Sequence, residues 1–211
     1  MRRAGTLRYI WFVIGIMILT LGVSLTIQSN LGASPFDALL VGLSQEVGLT
    51  VGSWELIIAI ILIAFNAWLE RRRPEILGLL SAFLTGLGID MWLWGLEKIL
   101  TPDPWSLWIN QLLCFAAGLV ITGLGTAIYL VTRMAPIPVD RLTLNLQKLL
   151  HTNIQLSRTL VYILFLSLAL LLHGPIGLGT ILTVCFGGWI LGFFMSFTGR
   201  KLRLRASHKN T

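Results

Sequence analysis

The chain has 211 residues, 55% of them hydrophobic and only 12% charged, against about 25% charged residues in soluble domains. That polar supply is too small to cover a water-soluble surface, and the composition excludes a disordered chain, a secreted disulfide scaffold and an ordinary cytosolic enzyme. The net charge of +7 therefore bears on membrane topology and not on nucleic-acid binding, because the basic residues cluster between apolar stretches.

A membrane-crossing helix needs about 20 mainly apolar residues. Six stretches come close: roughly 8–28, 52–69, 76–97, 106–131, 157–173 and 176–198. The first follows Arg2-Arg3, but it exceeds the length of a signal-peptide core and lacks a clear small-x-small cleavage site, so it reads as a retained span. The breaks carry stop signals: Arg71-Arg72-Arg73-Pro74, Thr101-Pro102-Asp103-Pro104 and His173-Gly174-Pro175. Two longer connections, 29–51 and 132–156, each hold a Pro followed by a helical pattern of about a dozen residues, too short to cross a bilayer. Within them, 35–47 and 138–150 are either re-entrant or flat on the membrane surface.

With six crossings and the N-terminus inside, fifteen of the sixteen Lys and Arg residues fall on the inner side, including Arg133, Arg141, Lys148, Arg158 and Lys209. Lys98 alone falls outside. This bias predicts that both ends face the cytoplasm, and that 200–211 is a basic cytoplasmic tail. Trp11 and Trp68 fall near inner ends, and Trp54, Trp92, Trp94, Trp105 and Trp108 near outer ends, where interfacial belts are expected. Trp189 falls mid-span.

An offset of 103 residues aligns Gly15 with Gly118, Leu21-Gly22 with Leu124-Gly125, Pro35 with Pro138 and Asp37 with Asp140. An offset of 101 aligns Pro74 with Pro175 and Gly86 with Gly187. The chain thus reads as one membrane domain of two repeats, about 7–98 and 106–199, each a span, a short Pro-x-Asp helix and two further spans. Three crossings are an odd number, so the repeats enter the membrane in opposite senses, an architecture used by many secondary transporters. The expected fold class is all-α, six transmembrane helices as two inverted three-helix repeats.

Candidate pathway residues follow from this frame. Ser34 is a natural N-cap, Pro35 takes the first helical position, and Asp37 falls where a carboxylate closes a capping box. The second copy keeps Pro138 and Asp140 but has Ile137 in place of Ser34, so a cap alone does not account for its Asp. Asp90 is an ionisable group inside the third span, by default a functional feature; its counterpart is Leu191. Glu55 and Arg158 are counterparts of opposite sign, placed either at an interface by snorkelling or in a cavity. Asn66, Asn110 and Gln111 are candidates for interhelical hydrogen bonds, and the repeated glycines for close packing. Cys114 and Cys185 have no partner at ligand spacing, no metal or cofactor motif occurs, and no enzyme signature is found.

The pattern Leu31-Gly32-x-Ser34-Pro35-x-Asp37, followed by Gly48-Leu49-Thr50-Val51-Gly52 and a Gly-rich third span, resembles the YczE, YyaS and YitT-like bacterial integral membrane proteins. The resemblance covers nearly the whole chain and implies a multi-pass protein of the bacterial plasma membrane, without supplying a substrate. Some YitT-type relatives carry an extra soluble domain. Only a short basic tail follows the last span here, which favours the YczE-type branch. The leading expectation is a carrier or channel for a small solute or ion at the interface of the repeats. The alternative is a non-transporting membrane partner or the substrate-binding component of a larger complex. Expected partners are the lipid bilayer and a small solute or ion, with self-association or a partner subunit left open and nucleic acid excluded.

Overall fold

A computed structural model describes residues 2–99, 108–132, 134 and 136–207, with side chains described for 7–98, 108–132, 134, 136–153 and 156–197. The Thr101-Pro102-Asp103-Pro104 break, Trp105, Arg133 and Lys209 lie outside the described residues.

Eight helices make up the described chain: α1 (Arg2–Gln28), α2 (Pro35–Val47), α3 (Val51–Glu70), α4 (Leu77–Ile99), α5 (Trp108–Val131), α6 (Pro138–Leu150), α7 (Ile154–Leu171) and α8 (Leu178–Ser207). There is no strand among the described residues. Five helices are long and apolar enough to cross a membrane: α1, α3, α4, α5 and α8. The expected span at 157–173 is α7, whose apolar stretch, Leu156–Leu171, is shorter. It is short because Asn153 caps its start, accepting from the Leu156 N–H at 2.8 Å, and Pro175 follows three residues after its last turn. Helices α1 and α8 run further than the apolar stretches predict, into the basic segments at 2–6 and 199–207, since Arg, Lys and Leu are good helix formers and no Pro intervenes.

Glycines set the central packing. α1 and α5 run antiparallel: Arg8 donates to the Thr132 carbonyl at one end (3.0 Å), and the Cys114 thiol meets the Leu25 carbonyl towards the other (3.3 Å). A Cβ on Gly22 would lie 2.7 Å from the Gly118 carbonyl oxygen, and one on Gly125 would lie 2.9 Å from that of Gly15. Without side chains at these points the two backbones touch. Phe12, Ile16, Leu19 and Tyr129 close the seam as a buried cluster.

On this pair the remaining helices are arranged in matched contacts. α4 packs on α1, and α8 on α5; α2 packs on α7, and α6 on α3; α2 also meets α3, and α6 meets α7. The match fails at one place. α3 and α4 pack tightly, Gly52 against Gly86, whereas α7 and α8 barely touch. α8 accordingly presents Ile181, Phe186, Trp189 and Phe193 outward, Trp189 with 82% of its surface exposed. Lipid is the solvent for such a face. Trp92, by contrast, turns inward and donates to the Met17 carbonyl at 3.1 Å.

The short helices are not amphipathic surface helices. No residue of 35–44 or 138–147 is exposed, and a helix lying flat on a membrane would leave one face uncovered. Each is fastened to the turn that follows the helix it packs on. The Ala33 N–H donates to Pro175 O (3.1 Å) and Gly179 N–H to Leu31 O (2.7 Å), while Glu46 meets His173 at 3.1 Å. At α6, Asn66 donates to Pro138 O (3.1 Å) and receives Asn145 (3.0 Å), and Arg141 bridges Glu70 (3.2 Å) and Glu75 (2.6 Å).

Substituting Gly125 by Val should force α1 from α5 and lower stability by about 1–3 kcal/mol, read as a drop in thermal midpoint in detergent. Gly188→Ala, at a position with no neighbouring atom within 4 Å, should leave the midpoint unchanged.

Candidate functional site

Where the short helices begin, the protein forms a partly open cavity of about 140 Å³. One water needs about 10–15 Å³ by this measure, so the space holds several waters or a small solute. Its wall comes from α1, α3, α4, α5 and α7, the two short helices, and the residues that precede them.

Ten of the sixteen lining residues form five pairs exactly one repeat apart: Val23 and Thr126, Ser34 and Ile137, Phe36 and Val139, Asp37 and Asp140, Glu55 and Arg158. Of the candidates read from sequence, Ser34, Asp37, Glu55, Asp140 and Arg158 are thus brought together. Pro35 and Pro138 stand beside them as buried first residues of α2 and α6. Their missing N–H costs nothing at that position, and their fixed φ starts the helix.

Each carboxylate is held differently. The Ser34 hydroxyl accepts from the Asp37 N–H (3.3 Å) and donates to Asp37 Oδ2 (2.5 Å). The carboxylate therefore takes the hydroxyl proton of the cap instead of the backbone N–H that a capping box would give it. Ile137 supplies no such bond at α6. Its place is taken from another helix: the Tyr129 hydroxyl of α5 donates to Asp140 Oδ2. Glu55, in the second turn of α3, is 2% exposed and faces the cavity without a hydrogen-bond partner among the described residues; Asp37 and Asp140 both act on it electrostatically. Arg158 donates through Nε to the Tyr162 hydroxyl (3.0 Å), one turn on, and lies over that ring. No ion pair joins Glu55 to Arg158 among the described residues.

Asp90 lies elsewhere. It accepts from the Thr50 hydroxyl at 2.6 Å and from the Gly52 N–H at 2.8 Å, so α4 supplies an acidic cap to α3, whose own first turn has none. The bond sits at the Gly52–Gly86 crossing and locks it.

Tyr129, Tyr162, Thr85, Thr126 and Thr143 also line the cavity and were not among the sequence candidates. Tyr162 carried a signal, being four residues from Arg158 on one helix face. Tyr129 carried none, because its partner belongs to another helix.

A chain whose described residues are all-helical, with five apolar helices of lipid-spanning length and a cavity lined by charged groups between them, is an integral membrane protein. The chain belongs to the family of unknown function DUF6198, which matches residues 6–196. It is 55% identical over 194 residues to the uncharacterized protein YyaS of Bacillus subtilis, covering 92% of this chain and 95% of that one. To the uncharacterized membrane protein YczE of the same organism it is 34% identical, with 92% and 87% covered. An uncharacterized protein of Haemophilus influenzae is 30% identical over 183 residues, 87% and 81% of the two chains. The resemblance to YczE- and YyaS-like proteins is thereby borne out. No solved structure matches the chain.

Replacing Asp90 by Leu should remove both bonds to the start of α3 and cost about 1–3 kcal/mol, visible as a lowered thermal midpoint in detergent.

Proposed function

We propose that this protein is a membrane carrier or channel for a small solute or ion, with its pathway through the cavity between two inverted three-helix halves. The carrying observation is the pairing of the lining residues: five pairs at one repeat spacing contribute three carboxylates and one guanidinium to a single cavity. Buried ionisable groups are expensive in a membrane and mark solute or proton routes when they line a cavity. Non-helical backbone such as 29–34 is tolerated at depth in the same circumstance.

The contacts support the inversion. Gly22 meets Gly118 and Gly125 meets Gly15; exchanging the halves converts one contact into the other, as a two-fold axis requires. The antiparallel α1 and α5 begin the two halves in opposite senses. In this reading α7 is the sixth crossing. The Arg71–Arg73 turn, its neighbours Arg141 and Lys148, and both termini lie on the cytoplasmic side of the bacterial plasma membrane.

Reconstituted into liposomes, the protein should give charge movement or osmotic shrinkage under a gradient of at least one of sodium, potassium, chloride, methylammonium or phosphate. The Asp37→Asn, Asp140→Asn double variant should lose at least about tenfold of that flux, with Gly188→Ala unchanged. Correctly folded protein inert to every gradient would favour the non-transporting partner. Reporter fusions after Arg73 and at the C-terminus should both report the cytoplasmic side; opposite sides would remove the inverted halves.

A further inference from the structure

We infer that the cavity takes a small organic cation that carries N–H donors, of the ammonium, amidinium or guanidinium class; the inference rests on the reading of this cavity as the solute site. The wall is mainly a surface of acceptors; its donors are the guanidinium of Arg158 and the hydroxyl of Tyr162. Glu55 is almost fully buried, faces the space and has no hydrogen-bond partner among the described residues. Asp37 and Asp140 each have Oδ2 engaged by a hydroxyl. The threonine hydroxyl protons of the wall are already committed: Thr85 donates to Ser81 O (2.8 Å), Thr126 to Thr122 O (2.7 Å) and Thr143 to Val139 O (3.3 Å). What these side chains offer an occupant is lone pairs.

Charge gives the same sign. Three carboxylates face one guanidinium, whose Nε is hydrogen-bonded to the Tyr162 hydroxyl and whose carbon lies 5.4 Å from the centre of that ring. A buried, unpartnered acceptor such as Glu55 is satisfied by an occupant that brings both a donor and a positive charge. Among the described residues no three acidic, His or Cys side chains converge as metal ligands, and the space has room for several waters, so an occupant larger than a bare ion fits it. The Tyr162 and Phe36 rings, both in the wall, supply the aromatic surface on which such cations also settle.

Titration of the full chain in lipid nanodiscs by calorimetry tests this. Methylguanidinium should bind saturably. Tetramethylammonium, of equal charge but without N–H groups, should bind at least about tenfold more weakly, as should potassium and glycine. Glu55→Gln should weaken methylguanidinium at least about tenfold. Thr126→Val, which removes one hydroxyl acceptor from the same wall, should weaken it about threefold, and it carries the test if Glu55→Gln does not fold. Absence of methylguanidinium binding, equal binding of tetramethylammonium or potassium, tighter binding of glycine, or a folded Glu55→Gln with unchanged affinity would each overturn the inference. Binding without flux in liposomes keeps this inference and removes transport. Flux of another solute with no methylguanidinium binding does the reverse.

Discussion

The most extensive helix–helix contact among the described residues is between α1 and α5, and the other elements are placed by it. Interhelical attraction in a membrane comes from packing and hydrogen bonds, since lipid tails are as apolar as leucine. Backbones therefore have to touch if two helices are to form a fixed axis. Gly15, Gly22, Gly118 and Gly125 allow that, and Arg8 and Cys114 fix its two ends by bonds to the opposite backbone. With the axis set, α4 and α8 dock on its flanks, and each short helix reaches across to the far half. The cavity is the space left where those two short helices begin. Its charged groups are brought together across the halves by the packing of α2 on α7 and of α6 on α3, and within each half by the contact of consecutive helices.

Departures from the matched arrangement are confined and have local causes. Asp90 and Gly52 hold α3 to α4; at the equivalent place in the second half stands Leu191, and α7 and α8 separate. Ser34 holds Asp37 from within its own turn, whereas Ile137 cannot, and Tyr129 reaches Asp140 from α5. In both halves the carboxylate keeps a hydroxyl donor, although the residue that supplies it changes. Conserving the bond while changing its donor indicates that the constraint acts on the orientation of the carboxylate, beyond the capping of a helix.

Much of this was legible in the amino-acid order, for a physical reason. Spans, Pro-initiated helices and turns are written in local chemistry: apolar length, a missing N–H, a left-handed residue such as Arg71 at a helix end. Both short helices fall at the positions expected of them, 35–47 and 138–150. The repeat carried the sequence further, since it marked Asp37 with Asp140 and Glu55 with Arg158 as equivalents before any contact was visible. What it could not carry was the rotation of one helix against another. Asp90 and Glu55 are both carboxylates in apolar stretches, yet one caps a neighbouring helix and the other faces the cavity. Tyr129 in an apolar run reads equally as core, interface or donor until the facing helix is known. The enclosure of α2 and α6 was undecidable for the same cause, because the polar residues of α6 find their partners on α3 and in the following turn.

In the proposed reading, the opposite signs of Glu55 and Arg158 bear on how a solute would lie. Two equivalent backbones placed around one axis would by themselves give a cavity whose two ends are alike, and a solute would meet the same field from either side. A carboxylate on α3 and a guanidinium on α7, one repeat apart in sequence and both in the cavity wall, break that equivalence. The guanidinium is drawn to the wall by Tyr162, while the carboxylate stays without a hydrogen-bond partner. The space is consequently more negative towards α3 than towards α7, and an occupant with a charged end has one preferred way to lie. Shape symmetry and charge asymmetry are then separate properties of the same repeat: glycines and prolines carry the first, and a single exchanged position carries the second.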